Sequence, residues 1–153
     1  MAEISQDILL AKVKEKAFFS LSLSKITEYE FKIKFLRILK QYNCPEEYIE
    51  TLTEELIEKG YIDDVGYVKA KMKGILMNDL SKKEIEYKLR KKGIDKQIID
   101  DYFSKHKEII DRQQIESIKN LYAKYIRTRT DEEVRELLSK KGFNSDYIKE
   151  IEV

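Results

Sequence analysis

The chain has 153 residues, enough for one domain or for a few very small ones in series. Charged residues make up 39%, yet 30 Lys and Arg against 29 Asp and Glu leave a net charge of +1 and a pI near 7.7. This excludes the footprint of a dedicated nucleic-acid binder, usually above about pI 9.

One Pro and five Gly in a sequence rich in helix formers predict an all-α fold. A first helix is expected over about 5–22, with Ile8, Leu9, Val13 and Phe19 among its apolar positions. A second runs from Thr27 to Tyr42. The third starts at Pro45, since proline suits a first helical turn, and ends at Lys59 before Gly60, a C-terminal glycine cap. Asp63 or Asp64 caps the fourth, with Ile62 and Tyr67 as a hydrophobic staple. Its buried stripe reads Val65, Val68, Met72, Ile75 and Leu76. Helices over 81–92 and 95–105 follow. The next opens near Ile109, and Ile115, Ile118, Tyr122, Tyr125 and Ile126 repeat the earlier stripe. Helices over 130–141 and near 144–151 close the chain, with connections of two to four residues.

The most informative feature is a repeat. Ser81 to Ile99 matches Thr130 to Ile148 in the physical role of each key position. Ser81 and Thr130 are capping hydroxyls, and Glu84 and Glu133 complete capping boxes. Ile85 and Leu89, like Val134 and Leu138, give an apolar stripe at four-residue spacing. Gly93 and Gly142 end the helix after a Lys-Lys pair. Ile94 and Phe143 anchor the turn, and Asp95 and Asn144 cap the next helix. A third, divergent copy lies upstream: Thr27, Glu30, Phe31 and Phe35 fill the first slots, and Cys44, Tyr48 and Ile49 the later ones. Four extra residues before the turn add about one helical turn and keep the apolar face in phase. Asn43 stands in for Gly93, as the other residue tolerant of a left-handed cap. The expected architecture is three tandem three-helix repeats, over 1–60, 61–107 and 108–153, forming an elongated, curved array.

The second helix of each set carries the clearest functional hint. With Ile85 facing inward, Lys83, Tyr87 and Arg90 fall on the opposite face. The equivalent face is Glu132, Glu136 and Ser139 in the third set, and Tyr29, Ile33 and Leu36 in the first. One geometric position thus carries an apolar stripe, a basic-aromatic stripe and an acidic one. The bland alternative is two solvated faces, with the first-set stripe packed on the first helix. Charge is polarised as well: residues 27–62 carry 5 basic and 8 acidic side chains, 63–108 carry 12 and 9, and 109–153 carry 9 and 9. This suits a protein partner with its own alternating surface.

No catalytic constellation is present in the sequence. His106 and Cys44 are alone of their kinds, which excludes Cys/His metal spacing. No serine sits in a nucleophile elbow, and no glycine forms a phosphate loop. Cys44 reads as a small buried hydrophobe and His106 as a helix-end residue. Asp63-Asp64 reads as a cap, and Asp100-Asp101 as part of a solvated face. An enzyme is not expected, nor is a cofactor. The longest uncharged run, Ala17–Ser24, is far below the roughly 20 residues of a membrane helix. Lys12, Lys14, Glu15 and Lys16 break any secretory pattern, and a lone cysteine forms no internal disulfide, so a cytoplasmic monomer is expected.

From about residue 20 to the end, the chain resembles the RecX family of RecA regulators. The residues that carry the resemblance are Gly60-Tyr-Ile-Asp-Asp-Val-Gly-Tyr-Val-Lys-Ala-Lys and the run from Leu89 through Gly93-Ile94 to Ile99. The chain differs where relatives often carry Arg after Asp-Asp: here Lys69, Lys71 and Lys73 stand. The resemblance implies a protein that binds the helical groove of the RecA filament. There it modulates assembly, ATP hydrolysis and strand exchange in recombinational repair and the SOS response, usually as an inhibitor. Candidate contact residues are Lys83, Tyr87, Arg90, Lys69, Lys73, Tyr29, Ile33 and Leu36. Weak contact with single- or double-stranded DNA is compatible with this role. Two other readings are a helical protein of helix-turn-helix character acting directly on DNA, and a tetratricopeptide-like scaffold. The repeat spacing of about 49 rather than 34 counts against the latter.

Overall fold

The computed structural model describes residues 6–152, and among these there are nine helices and no strand. They are α1 (Gln6–Leu23), α2 (Glu28–Gln41), α3 (Tyr48–Glu58), α4 (Asp64–Leu76), α5 (Lys82–Lys91), α6 (Lys96–Lys105), α7 (Lys107–Tyr125), α8 (Asp131–Lys141) and α9 (Ser145–Lys149). Their order is consistent with three sets of three. The expected first residue of α1, residue 5, lies outside the described residues. The extra turn expected in the first copy is present, since α2 has 14 residues and α5 has 10.

The helix ends follow local chemistry. Thr27 closes a full capping box with Glu30, and Ser81 does so with Glu84. Thr130 accepts from the Glu133 N–H, but its own N–H does not donate to the Glu133 carboxylate, so the third box is half made. Asp95 and Asn144 cap α6 and α9. Gly60, Gly93 and Gly142 are left-handed, and Asn43 takes the same conformation at φ 53. Asp63, of the two candidates, caps α4, accepting from the Gly66 N–H at 3.0 Å.

Two expected boundaries are corrected. Helix α3 begins at Tyr48 rather than Pro45. The intervening turn is tightened by bonds of three-residue spacing, from Tyr48 N–H to the Pro45 carbonyl and from Ile49 N–H to the Glu46 carbonyl. Helix α7 begins at Lys107 rather than near Ile109, and no loop separates it from α6. His106 serves both: its N–H donates to the Tyr102 carbonyl, and its carbonyl accepts from the Ile110 N–H. The expected connection of two or more residues is absent there.

The chain divides into two compact units. In the first, which runs to Tyr67 and includes Lys92–Ile94, the core holds Val13, Ala17, Leu21, Phe31, Phe35, Leu39, Cys44, Ile49, Leu52, Leu56 and Ile62. Phe31 and Phe35 stack at 4.6 Å. The buried line of α1 is Val13, Ala17 and Leu21. Of the other apolar positions, Ile8 and Phe19 are exposed. In the second unit, Val68–Lys91 with Asp95 onward, a cluster forms from Ile118, Leu121, Val134, Leu138, Phe143 and Ile148.

The stripes of α4 and α7 hold in part: Val68, Met72, Ile75 and Ile118 are buried as expected. Val65 and Ile126 are exposed, and Leu76, Ile115, Tyr122 and Tyr125 are only partly covered. The buried positions are Tyr67, Val68, Met72 and Ile75 on α4, and Ile110, Gln114, Ser117, Ile118 and Leu121 on α7. Two polar residues of these helices cap others: Asp64 accepts from the Glu28 N–H and Gln114 from the Lys82 N–H.

Candidate partner-binding surface

The face of each capped helix is oriented by the way its N-terminus is pinned. In the first unit the Thr27 hydroxyl, fully buried, accepts from the Glu30 N–H at 3.2 Å and donates to the Lys92 carbonyl at 2.6 Å. The Glu28 N–H donates to Asp64 Oδ1 at 2.9 Å. The Tyr29 side chain fills the space a Cβ on Gly93 would need, and Lys92 pairs with Glu30 at 3.5 Å.

The second unit builds the same junction from different residues. The buried Ser81 hydroxyl accepts from the Glu84 N–H at 3.1 Å and donates to the Lys141 carbonyl at 2.5 Å. The Lys82 N–H donates to Gln114 Oε1 at 3.1 Å, while Gln114 Nε2 donates to the Leu80 carbonyl. The Lys83 stem lies over Gly142, and Lys141 pairs with Glu84 at 3.5 Å. The double duty of Thr27 and Ser81, and the roles of Asp64 and Gln114, were not read from sequence. A signal exists: Asp64 and Gln114 lie 50 residues apart, at matching places in the repeat.

Asp64 is half-buried, and loss of hydration raises its pKa above the usual carboxylate range, aided by nearby acidic groups and opposed by the Glu28 N–H bond. A raised folded pKa means that ionisation costs stability. That share is complete below the unfolded pKa and is lost as pH rises through the folded one. Asp64→Asn keeps the acceptor without the charge, as Gln114 does in the second unit. Its melting temperature at pH 7 should therefore be no lower than that of the parent. Asp64→Ala, which strands the Glu28 N–H, should lose about 1 kcal/mol. Thermal melts at pH 4 and pH 7 check both.

With α5 pinned at its start, Ile85 and Leu89 are buried and Lys83, Tyr87 and Arg90 lie outward. Tyr87 is 64% exposed, and Lys91 Nζ stands 5.0 Å from its ring centroid. Among the described residues Lys83, Lys88 and Arg90 have no ion-pair partner, whereas Lys82, Lys92 and Lys141 are paired with Asp111, Glu30 and Glu84. Lys69 and Lys73, exposed one turn apart on α4, are likewise free of ion pairs. In the first unit Tyr29 and Ile33 are about half exposed, while Leu36 packs against the core. On α8, Glu136 is partly neutralised by Lys140 at 3.3 Å. The face of α5 therefore presents an aromatic ring among cations not spent on internal pairs.

Other features bind structure together. Asp131 accepts from the Tyr122 hydroxyl at 2.7 Å and from Arg135 Nε; these bonds hold its carboxyl below the usual range. Arg135 also donates to the Ile148 and Ile151 carbonyls, tying α8 to the chain end. Cys44 is buried, and the His106 ring packs on Tyr102 at 4.3 Å. Asp100 pairs with Lys96 and Asp101 accepts from Gln97. An open groove of about 520 Å³ lies between α7 and the chain end, lined by Ile115, Ile118, Tyr122, Tyr147 and Ile151. No helix of the described residues is long and apolar enough to cross a membrane.

Comparison with known proteins gives one line of sequence likeness and one of fold. No family model matches the chain. The chain is 28% identical over 116 residues to a curated protein named Regulatory protein RecX from Streptococcus uberis. The match covers 74% of this chain and 45% of that protein, so the chain spans about half the length of its relative. Two solved structures share the fold. One is a crystal structure of regulatory protein RecX, with TM-score 0.78 and 24% identity, covering 98% of this chain and 78% of the other. The second is RecX from Lactobacillus salivarius, with TM-score 0.75 and 24% identity, covering 94% of each.

Proposed function

We propose, on the premise that sequence and fold together support the RecX family, that this protein regulates the RecA recombinase by binding its nucleoprotein filament. In this reading it lowers filament assembly, ATP hydrolysis and strand exchange, and acts through binding rather than through a reaction of its own. The observation that carries it is the α5 face. Lys83, Tyr87 and Arg90 stand exposed without internal ion pairs, on a helix whose start is pinned by Ser81 and Gln114. A partner therefore meets a preorganised surface and does not have to order it. Lys69 and Lys73 would add charge, and Tyr29 and Ile33 an apolar contact. Three tandem sets, at 1–60, 61–107 and 108–153, would spread weak contacts over adjacent protomers, where they add through effective concentration.

The test is ATP hydrolysis by RecA on single-stranded DNA with and without the protein. Inhibition in the parent should weaken by about tenfold in half-effective concentration for the Lys83→Glu/Arg90→Glu double variant, which is about 1.4 kcal/mol. Helicity and melting temperature should stay near parent values, because Arg90 is exposed and Glu at 83 keeps the Cβ and Cγ that lie over Gly142. Equal inhibition by parent and variant removes this face from the reading. Direct action on DNA is a separate outcome. It would appear as DNA binding without RecA, with affinity falling steeply between about 50 and 200 mM salt.

A further inference from the structure

The N-terminal edge of α8 repeats one half of a junction whose other half is present twice elsewhere in the chain. At Thr27 and again at Ser81, four contacts recur. The capping hydroxyl donates to the carbonyl of a lysine that ends another helix. The next N–H donates to a carboxylate or amide side chain. The residue two past the cap covers the left-handed glycine after that lysine, and the glutamate three past the cap pairs with the lysine itself. These contacts go beyond what a helix start needs for itself. The hydroxyl accepts from its own helix and spends its proton on the incoming one.

At α8 the same groups stand in the same order. Thr130 accepts from the Glu133 N–H, and its proton has no acceptor among the described residues. Glu132 occupies the slot of Tyr29 and Lys83, and Glu133 that of Glu30 and Glu84. Both are exposed and have no ion pair among the described residues. The residue before the cap differs: Ile26 and Leu80 are partly covered, whereas Arg129 is exposed beside the Tyr125 ring. A charged flank suits a contact that forms and dissociates.

We propose that this edge is a docking surface for the C-terminal end of a helix on a partner protein, one whose last lysine is followed by a left-handed glycine. The complementarity is electrostatic as well as geometric. The positive end of the α8 dipole meets carbonyls at the negative end of the incoming helix, and Glu133 meets its lysine. A carboxylate or amide on the partner would take the Asp131 N–H, as Asp64 and Gln114 do inside this chain. This proposal does not depend on the RecA reading, and its test contains no RecA.

The probe is a synthetic peptide with the sequence of residues 81–106, which carries Lys91-Lys92-Gly93 and the helix after it. It is titrated into the full chain labelled with ¹⁵N. The amides of 130–133 should shift on saturation. A peptide with Gly93→Val should bind at least tenfold more weakly. Thr130→Asp in the full chain should do the same, because Asp still caps α8 but has no proton to donate. Far-UV circular dichroism should show that this variant keeps its helices. Absence of shifts at 130–133, shifts confined to Thr27 or Ser81, or unchanged affinity for Thr130→Asp would each overturn the proposal.

Discussion

Gly93→Val should destabilise the protein by about 2–5 kcal/mol, whereas Gly60→Val should cost about 1–2. Both glycines are left-handed, at φ 80 and φ 78, so both pay the backbone strain of an L side chain, about 1–2 kcal/mol. Only Gly93 adds a collision, because its new Cβ would fall on the Tyr29 side chain; nothing lies within 4 Å of the same position on Gly60. Overpacking a closed site adds about 1–3 kcal/mol. Urea melts of the two variants side by side measure the difference. Tyr29→Ala in the Gly93→Val background should recover part of the loss, since it removes the ring but leaves the Cβ. Equal losses at Gly93 and Gly60 would mean that the Tyr29 contact is soft and the junction looser than the distances imply.

Ser81→Asp should be strongly destabilising, by about 2–4 kcal/mol, and Thr130→Asp nearly silent, within about 0.5. Aspartate is as good an N-cap as serine or threonine, so the helix start is served in both variants. The outcomes differ because Ser81 is buried and donates to the Lys141 carbonyl at 2.5 Å, while Thr130 is exposed and donates to no described residue. A carboxylate at 81 strands a buried carbonyl and loses its own hydration. Its folded pKa should rise, so the loss should shrink as pH falls and the carboxyl regains a proton to donate. Thermal melts of both variants between pH 4 and pH 7 test the claim. A pH-independent loss at 81, or a large one at 130, would refute the double role assigned to the hydroxyl.

Local chemistry explains which features were legible early. The capping boxes at Thr27 and Ser81, the left-handed Asn43, Gly93 and Gly142, and the caps Asp95 and Asn144 all involve groups within four residues of one another. The apolar pairs Phe31/Phe35, Ile85/Leu89 and Val134/Leu138 were readable for the same reason, since four residues are close to one helical turn. The candidate face Lys83, Tyr87 and Arg90 follows directly, because its outward direction is fixed once Ile85 and Leu89 turn in.

Other features were not legible, and each has a partner far away in sequence. The stripes read for α4 and α7 placed Val65 and Ile126 inside, yet these are exposed, and left out Ile110 and Leu121, which are buried. Asp64 reaching Glu28 and Gln114 reaching Lys82 are contacts between groups distant in sequence, which helical periodicity does not carry. Ile8 and Phe19 are apolar but fall off the line of Val13, Ala17 and Leu21 that meets the core.

Helix type, helix ends and the recurrence of one capped unit were thus determined by sequence alone, because nearest-neighbour sterics and hydrogen bonds decide them. Tertiary structure alone decided which polar groups turn inward and which lysines enter internal ion pairs. The contacts that settle those choices span 60 and 65 residues, and hydrogen bonding in a buried site depends on what arrives there rather than on what lies beside it in the chain.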